Sequence, residues 1–74
     1  MRIKYFYYAV VQTENGKSFA HAEKVPTSTN LANFFGNESV IIVQPTATLK
    51  EAKELADFWN GIYKRDGRYL YDFD

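Results

Sequence analysis

The chain has no cysteine and a single histidine among its 74 residues. A disulfide framework and a thiolate zinc site are excluded, and one imidazole is too few to build a structural zinc centre. Net charge is lacking too, since nine Lys and Arg balance nine Asp and Glu. That leaves no electrostatic footprint for a nucleic acid or an anionic membrane. The longest aliphatic run, Val40 to Val43, is far too short to span a bilayer. The opening MRIKYFYY has no apolar stretch of the kind a signal peptide needs. These absences lead to the expectation of a soluble, cytoplasmic protein of bacterial type.

Catalytic constellations are equally sparse. The four glycines are scattered at 16, 36, 61 and 67, so no glycine-rich phosphate loop exists. Ser18, Ser28 and Ser39 lie outside any nucleophile-elbow context. His21 has no obvious nucleophile to serve as base, although Glu23, two residues on, would share its strand face. Asp66, Asp72 and Asp74 are read as a solvated acidic end rather than a cation site. The expectation is a non-enzyme that takes no metal and no cofactor.

Aromatic side chains, by contrast, are plentiful at 18% of residues. They supply large buried areas, which a domain this small needs, because a chain of this length hides only about 60–65% of its unfolded surface. Residues 1–74 are read as one domain, with no linker, repeat or low-complexity segment.

The pattern is organised around 46–65, TATLKEAKELADFWNGIYKR. Ala52, Leu55, Ala56, Trp59, Ile62 and Tyr63 recur every three or four residues and form one helical stripe. Thr48 and Glu51 form a capping box at its start, and Asp66-Gly67 is a stop signal. Gly61 interrupts the stripe at a cost of about 1 kcal/mol relative to Ala. It reads either as a mild flaw or close backbone packing beside Trp59, or as an early helix end at Asn60-Gly61 followed by a second turn.

Upstream, the sequence reads as sheet. Ile3–Gln12 and Lys17–Val25 are strands joined at Asn15-Gly16, the strongest short hairpin signal. A two-residue turn there pairs Glu14 with Lys17, Val10 with His21 and Phe6 with Val25. One hairpin face then carries Phe6, Tyr8, Val10, Phe19, His21, Glu23 and Val25. The other carries Tyr5, Tyr7, Ala9, Val11, Ala20, Ala22 and Lys24. Neither is polar, and the Phe/Val face is read as the core beneath the helix. Leu31, Phe34 and Phe35 suggest one or two short helical turns. Ser39–Gln44 is a third strand whose unbroken Val-Ile-Ile-Val run fits a strand covered on both sides or lying centrally. Arg68–Phe73 is a short fourth strand or an ordered tail.

The predicted fold is α+β. It is a three-stranded antiparallel sheet, β-β-short α-β-α, with the C-terminal amphipathic helix across one face. The strand order is 2-1-3 or a simple meander. One helix covers one face, so the Tyr/Ala face is left as an aromatic patch of the kind monomers rarely expose. Tyr5, Tyr7, Ala20 and Ala22 are its interface candidates, since tyrosine provides contact area at low entropy cost. The functional expectation is a protein-interaction domain that pairs with itself or another protein, with sheet-face nucleic-acid binding as the alternative.

Two resemblances accompany these residues. Pro45 to Asn60, with its Thr-x-x-Glu-Ala start and Phe-Trp-Asn end, resembles small uncharacterised proteins of gut Firmicutes. Those share an aromatic first strand like Lys4–Tyr8 and a hairpin like Asn15-Gly16, and are often carried on plasmids or conjugative elements. The resemblance implies an accessory protein of a bacterial mobile element and supplies no functional residue. Three antiparallel strands followed by a helix are also similar to the amino-terminal DNA-binding domain of transposon and phage integrases. That similarity implies an open sheet face laid in the major groove. The Tyr/Ala face here, with Lys17 and Lys24 nearby, lacks the basic density such contacts require.

Overall fold

A computed structural model describes residues 4–30, 36 and 38–71. Strands β1 (Tyr5–Glu14), β2 (Lys17–Pro26) and β3 (Val40–Thr46) precede helix α1 (Leu49–Arg65). They form a three-stranded antiparallel sheet of order β2-β1-β3 with α1 packed across it, an α+β fold. The short helical turns expected around Leu31, Phe34 and Phe35 fall outside the described residues.

The hairpin register is the one the turn dictates: Glu14 opposes Lys17, Val10 opposes His21 and Phe6 opposes Val25. Asn15 and Gly16 both have positive φ, 54° and 80°, as a type I′ turn requires. In such a ladder the even residues of β1 exchange hydrogen bonds with β2, leaving the odd ones for β3. The Thr13 N–H to Ser39 carbonyl bond, 2.8 Å, follows that rule. A bulge between Val11 and Gln12 leaves Ile41 unopposed, since Val11 faces Ile42 while Gln12 faces Val40.

Both ends of α1 are closed locally. The Thr48 hydroxyl accepts the Glu51 N–H at 3.1 Å. The Glu51 carboxylate reaches the Ala47 N–H at 3.3 Å rather than that of Thr48, so the box closes one residue further out than expected. At the other end the Arg68 N–H bonds the Tyr63 carbonyl and the Gly67 N–H bonds that of Lys64, with Gly67 at φ 71°. These are the two bonds of a Schellman motif. The helix runs unbroken through Asn60 and Gly61. The described ion pairs do not include the i, i+4 pairings Lys50–Glu54 or Lys53–Asp57.

The helix lies on the Tyr/Ala face, which reverses the expected assignment. Val11, Ala20, Ala56 and Tyr63 form one buried cluster, with Ile42, Trp59 and Tyr69 packed against it. The reason is steric. A helix needs a shallow floor to approach a sheet, and Ala20 shares a buried cluster with Ala56, while Ala9 on the same sheet face and Ala52 on α1 are fully buried. The bulk is supplied from above, where Trp59 stacks on Tyr63 with ring centroids 6.1 Å apart. The helix sits mainly over β2 and β1 and touches β3 least. A second buried cluster, Tyr8, Val10 and Val25 with Val40 against it, lies on the opposite face. Completely buried aliphatic side chains such as Val10, Val11 and Val25 contribute about 1.5–3 kcal/mol each.

Burial pushes the Tyr63 phenol above its ordinary pKa, and nearby Arg68 offsets this only in part. The unfolded chain therefore ionises this tyrosine first. The stability linked to it is intact below the unfolded value of about 10 and is lost as pH rises from there through the folded value. Tyr63→Phe removes that step. Urea unfolding of the variant at about pH 9 and about pH 11 should show a smaller alkaline loss than wild type, and an equal loss would contradict the assignment.

Candidate protein-interaction surface

The two edges of the sheet are treated differently. Parity directs the backbone groups of the even β2 residues outward, and the first two of these are occupied. The Ser18 N–H donates to the Arg68 carbonyl at 2.8 Å, and the Leu70 N–H donates to the Ser18 carbonyl at 2.9 Å. Tyr69 thereby makes a parallel bridge with Ser18, and Arg68–Tyr71 acts as an edge cover, while residues 72 and 73 of the expected fourth strand fall outside the described residues. One step along, the Asn60 side chain takes over. Its Oδ1 accepts the Ala20 N–H at 2.6 Å and its Nδ2 donates to the Ala20 carbonyl at 2.9 Å. A single side-chain amide thus imitates the pairing of a neighbouring strand. The sequence offers little warning of this, because an Asn before Gly near a helix end reads as a stop signal.

Among the described residues the β3 edge has no equivalent. Val10 pairs with His21 on one side, so Val43, opposite it on the other, must turn its N–H and carbonyl away from the sheet. Among the described residues no strand meets them. The side chains there are apolar and open, with Ile41 53% and Val43 38% exposed, and Phe6 is 51% exposed on the face opposite α1. The Val-Ile-Ile-Val run therefore belongs to an exposed edge strand and not to a strand covered on both sides. Pro45 gives it some built-in protection, having no N–H to offer. Long apolar edges are what natural sheets usually avoid.

Tyr5, Tyr7, Ala20 and Ala22 all share the helix-covered face, so they do not form an outer patch. Ala20 is buried beneath α1, and Tyr5, Tyr7 and Ala22 are half-buried. The Lys24 ammonium sits 4.1 Å above the Tyr5 ring, where the aromatic face satisfies the cation. His21 and Glu23 do meet, Nε2 to Oε1 at 3.5 Å, and Phe19 packs edge-on against the imidazole with centroids 5.3 Å apart. Among the described residues no nucleophile is hydrogen-bonded to this pair. Among the described residues no three His, Asp or Glu side chains gather as a metal site. No helix there is long and apolar enough to cross a membrane. Shallow clefts near the hairpin tip are lined by Glu14, Lys17, Phe19 and Tyr71 and hold no paired acid and base beyond Glu14 and Lys17.

Comparison of the chain with protein-family models, with curated proteins and with solved structures finds no match.

Proposed function

We propose that the domain is a non-catalytic protein-interaction module, whose β3 edge accepts an extended segment of a partner protein. The observation that carries this reading is the contrast between the edges. Backbone and Asn60 close β2 at Ser18 and Ala20, while β3 presents outward-facing Val43 beside exposed Ile41. An added strand would gain main-chain hydrogen bonds from the edge and side-chain contact from Ile41, Val43 and Phe6. The resemblance of Pro45–Asn60 to mobile-element proteins suggests an accessory role in such an element. Nucleic-acid binding through the face opposite α1 has less in its favour. Of the strand residues on that face only Lys17 is a cation, and Glu14 lies directly opposite it.

The test uses two edge variants. Val43→Pro deletes an outward N–H without removing a bond to β1, which an edge strand tolerates. Ile41→Lys places a charge on the apolar rim. Wild-type protein immobilised in a bacterial extract is expected to retain a defined protein, identified by mass spectrometry, that both folded variants lose. Retention unchanged by either variant would refute the edge. Retention of nucleic acid that falls steeply with salt would establish the alternative.

A further inference from the structure

Gly61 is the residue the fold does not explain. A Cβ built there meets nothing within 4 Å, so close packing against the chain is not the reason for it. Its φ is not positive either, unlike those of Gly16 and Gly67. The chain accepts a poor helix former in mid-helix without any internal return.

The surroundings of Gly61 suggest what the gap accommodates. On a helical wheel Asp57, Phe58, Gly61 and Arg65 fall on the side of α1 opposite Ala52, Ala56 and Tyr63, which face the sheet. With Ile62 they line an open groove of about 350 Å³. Phe58 is 60% exposed, more than the other large exposed hydrophobic side chains among the described residues. Among the described residues neither Asp57 nor Arg65 has an ion-pair partner. The same small surface thus holds an aromatic knob, a notch one turn further on, an acid at one end and a base at the other.

Such a surface is complementary to itself when reversed. An isologous contact requires that residue i meet j while j meets i. With a two-fold axis through Gly61 and the helices antiparallel, Asp57 of each copy lies beside Arg65 of the other. Phe58 of each enters the groove floored by the other's Gly61, where the missing side chain lets the backbones approach. A parallel arrangement would set Asp57 against Asp57 and Arg65 against Arg65, so charge selects the antiparallel one. We infer that a second copy of this chain docks on the outer face of α1, antiparallel and centred on Gly61. This surface is separate from the β3 edge, so the dimer would carry two free edges and bind a partner with two strands bivalently. One helix face falls short of the ~1,200 Å² of a standard interface, and the dimer is weak, with a dissociation constant on the order of 100 μM.

Light scattering and sedimentation equilibrium, from micromolar to about millimolar chain, read this out. Wild type is expected to shift reversibly from monomer to dimer. Gly61→Leu fills the notch and should weaken dimerisation about tenfold or more, while raising the Tm measured on dilute monomer by about 4–8 °C through better helix propensity. A merely structural glycine would not separate those two readouts. Asp57→Arg should also weaken the dimer, and adding Arg65→Asp should restore it to within about twofold of wild type, because the reversed pair is again complementary. A wild type that stays monomeric at about millimolar concentration would overturn the proposal, as would a dimer indifferent to Gly61→Leu and to the charge reversal. A dimer lost in Val43→Pro but kept in Gly61→Leu would also overturn it and would place the second copy at β3.

Discussion

Asn60→Ala is expected to lower Tm by about 10 °C or more, from the loss of two hydrogen bonds to a half-buried backbone. The substitution leaves the Ala20 N–H and carbonyl, now bound at 2.6 and 2.9 Å, facing the underside of a helix where no other strand can reach them. Each stranded group costs about 1–3 kcal/mol when water is excluded, against only a few tenths gained from the better helix propensity of alanine. Asn60→Asp is the sharper probe. At neutral pH the introduced carboxylate still accepts from the N–H but repels the carbonyl it formerly satisfied. Protonation restores a donor, so the variant should recover part of its stability as the pH falls through the carboxyl range near about 4, where wild type gains nothing comparable. Thermal melts followed by circular dichroism at two pH values test both. An Asn60→Ala protein melting within about 2 °C of wild type would show that water replaces the amide without cost. Because the same amide closes the β2 edge at Ala20, the alanine variant should also aggregate more readily on heating, with that stretch of edge opened.

The sequence discloses some of these features and hides others, for physical reasons. The hairpin register is legible because Asn15-Gly16 admits one turn type, and a fixed turn fixes every cross-strand pair after it. Helix α1 is legible through its 3.6-residue stripe, through Thr48 at its start and Gly67 beyond its end. The covered face is not legible, because alternation identifies a core face only when its opposite is polar, and here both are apolar. Judging by side-chain bulk chooses the wrong one, since the floor beneath a helix is made of alanines. The exposure of β3 is hidden for a related reason. An unbroken apolar run carries the same composition whether it lies in a core or at an unprotected edge, and only the topology β2-β1-β3 distinguishes them. Tyr5, Tyr7, Ala20 and Ala22 suit an interface only on an outer face, and theirs is the face that α1 covers. With the face reversed, the argument for an uncovered apolar surface passes to Ile41, Val43 and Phe6.

The reversal itself can be measured, by asking which face resists being filled. Ala20→Leu and Ala56→Leu each add bulk at the interface between sheet and helix, where Val11 and Tyr63 already close the space. Overpacking of this kind costs about 1–3 kcal/mol, and in a domain this small it should lower Tm by about 5–20 °C. Helix propensity contributes almost nothing to the Ala56→Leu effect, because leucine and alanine rank close together. The Ala20→Leu cost should exceed that of Ala56→Leu, since lifting α1 off Ala20 also stretches both bonds to Asn60. On the opposite face, Phe6→Lys replaces a side chain that is half exposed and meets Tyr8 edge-on at 6.4 Å. Its loss should cost about 1 kcal/mol or less, as expected for one exposed aromatic contact. The prediction lies in the ordering of the three. If the Phe/Val face were the floor of the helix, Phe6→Lys would bury an unpaired charge and unfold the chain, whereas extra bulk at Ala20 would project into solvent and be tolerated. Chemical denaturation of the three variants beside wild type distinguishes the two arrangements by sign, independently of any partner the domain binds.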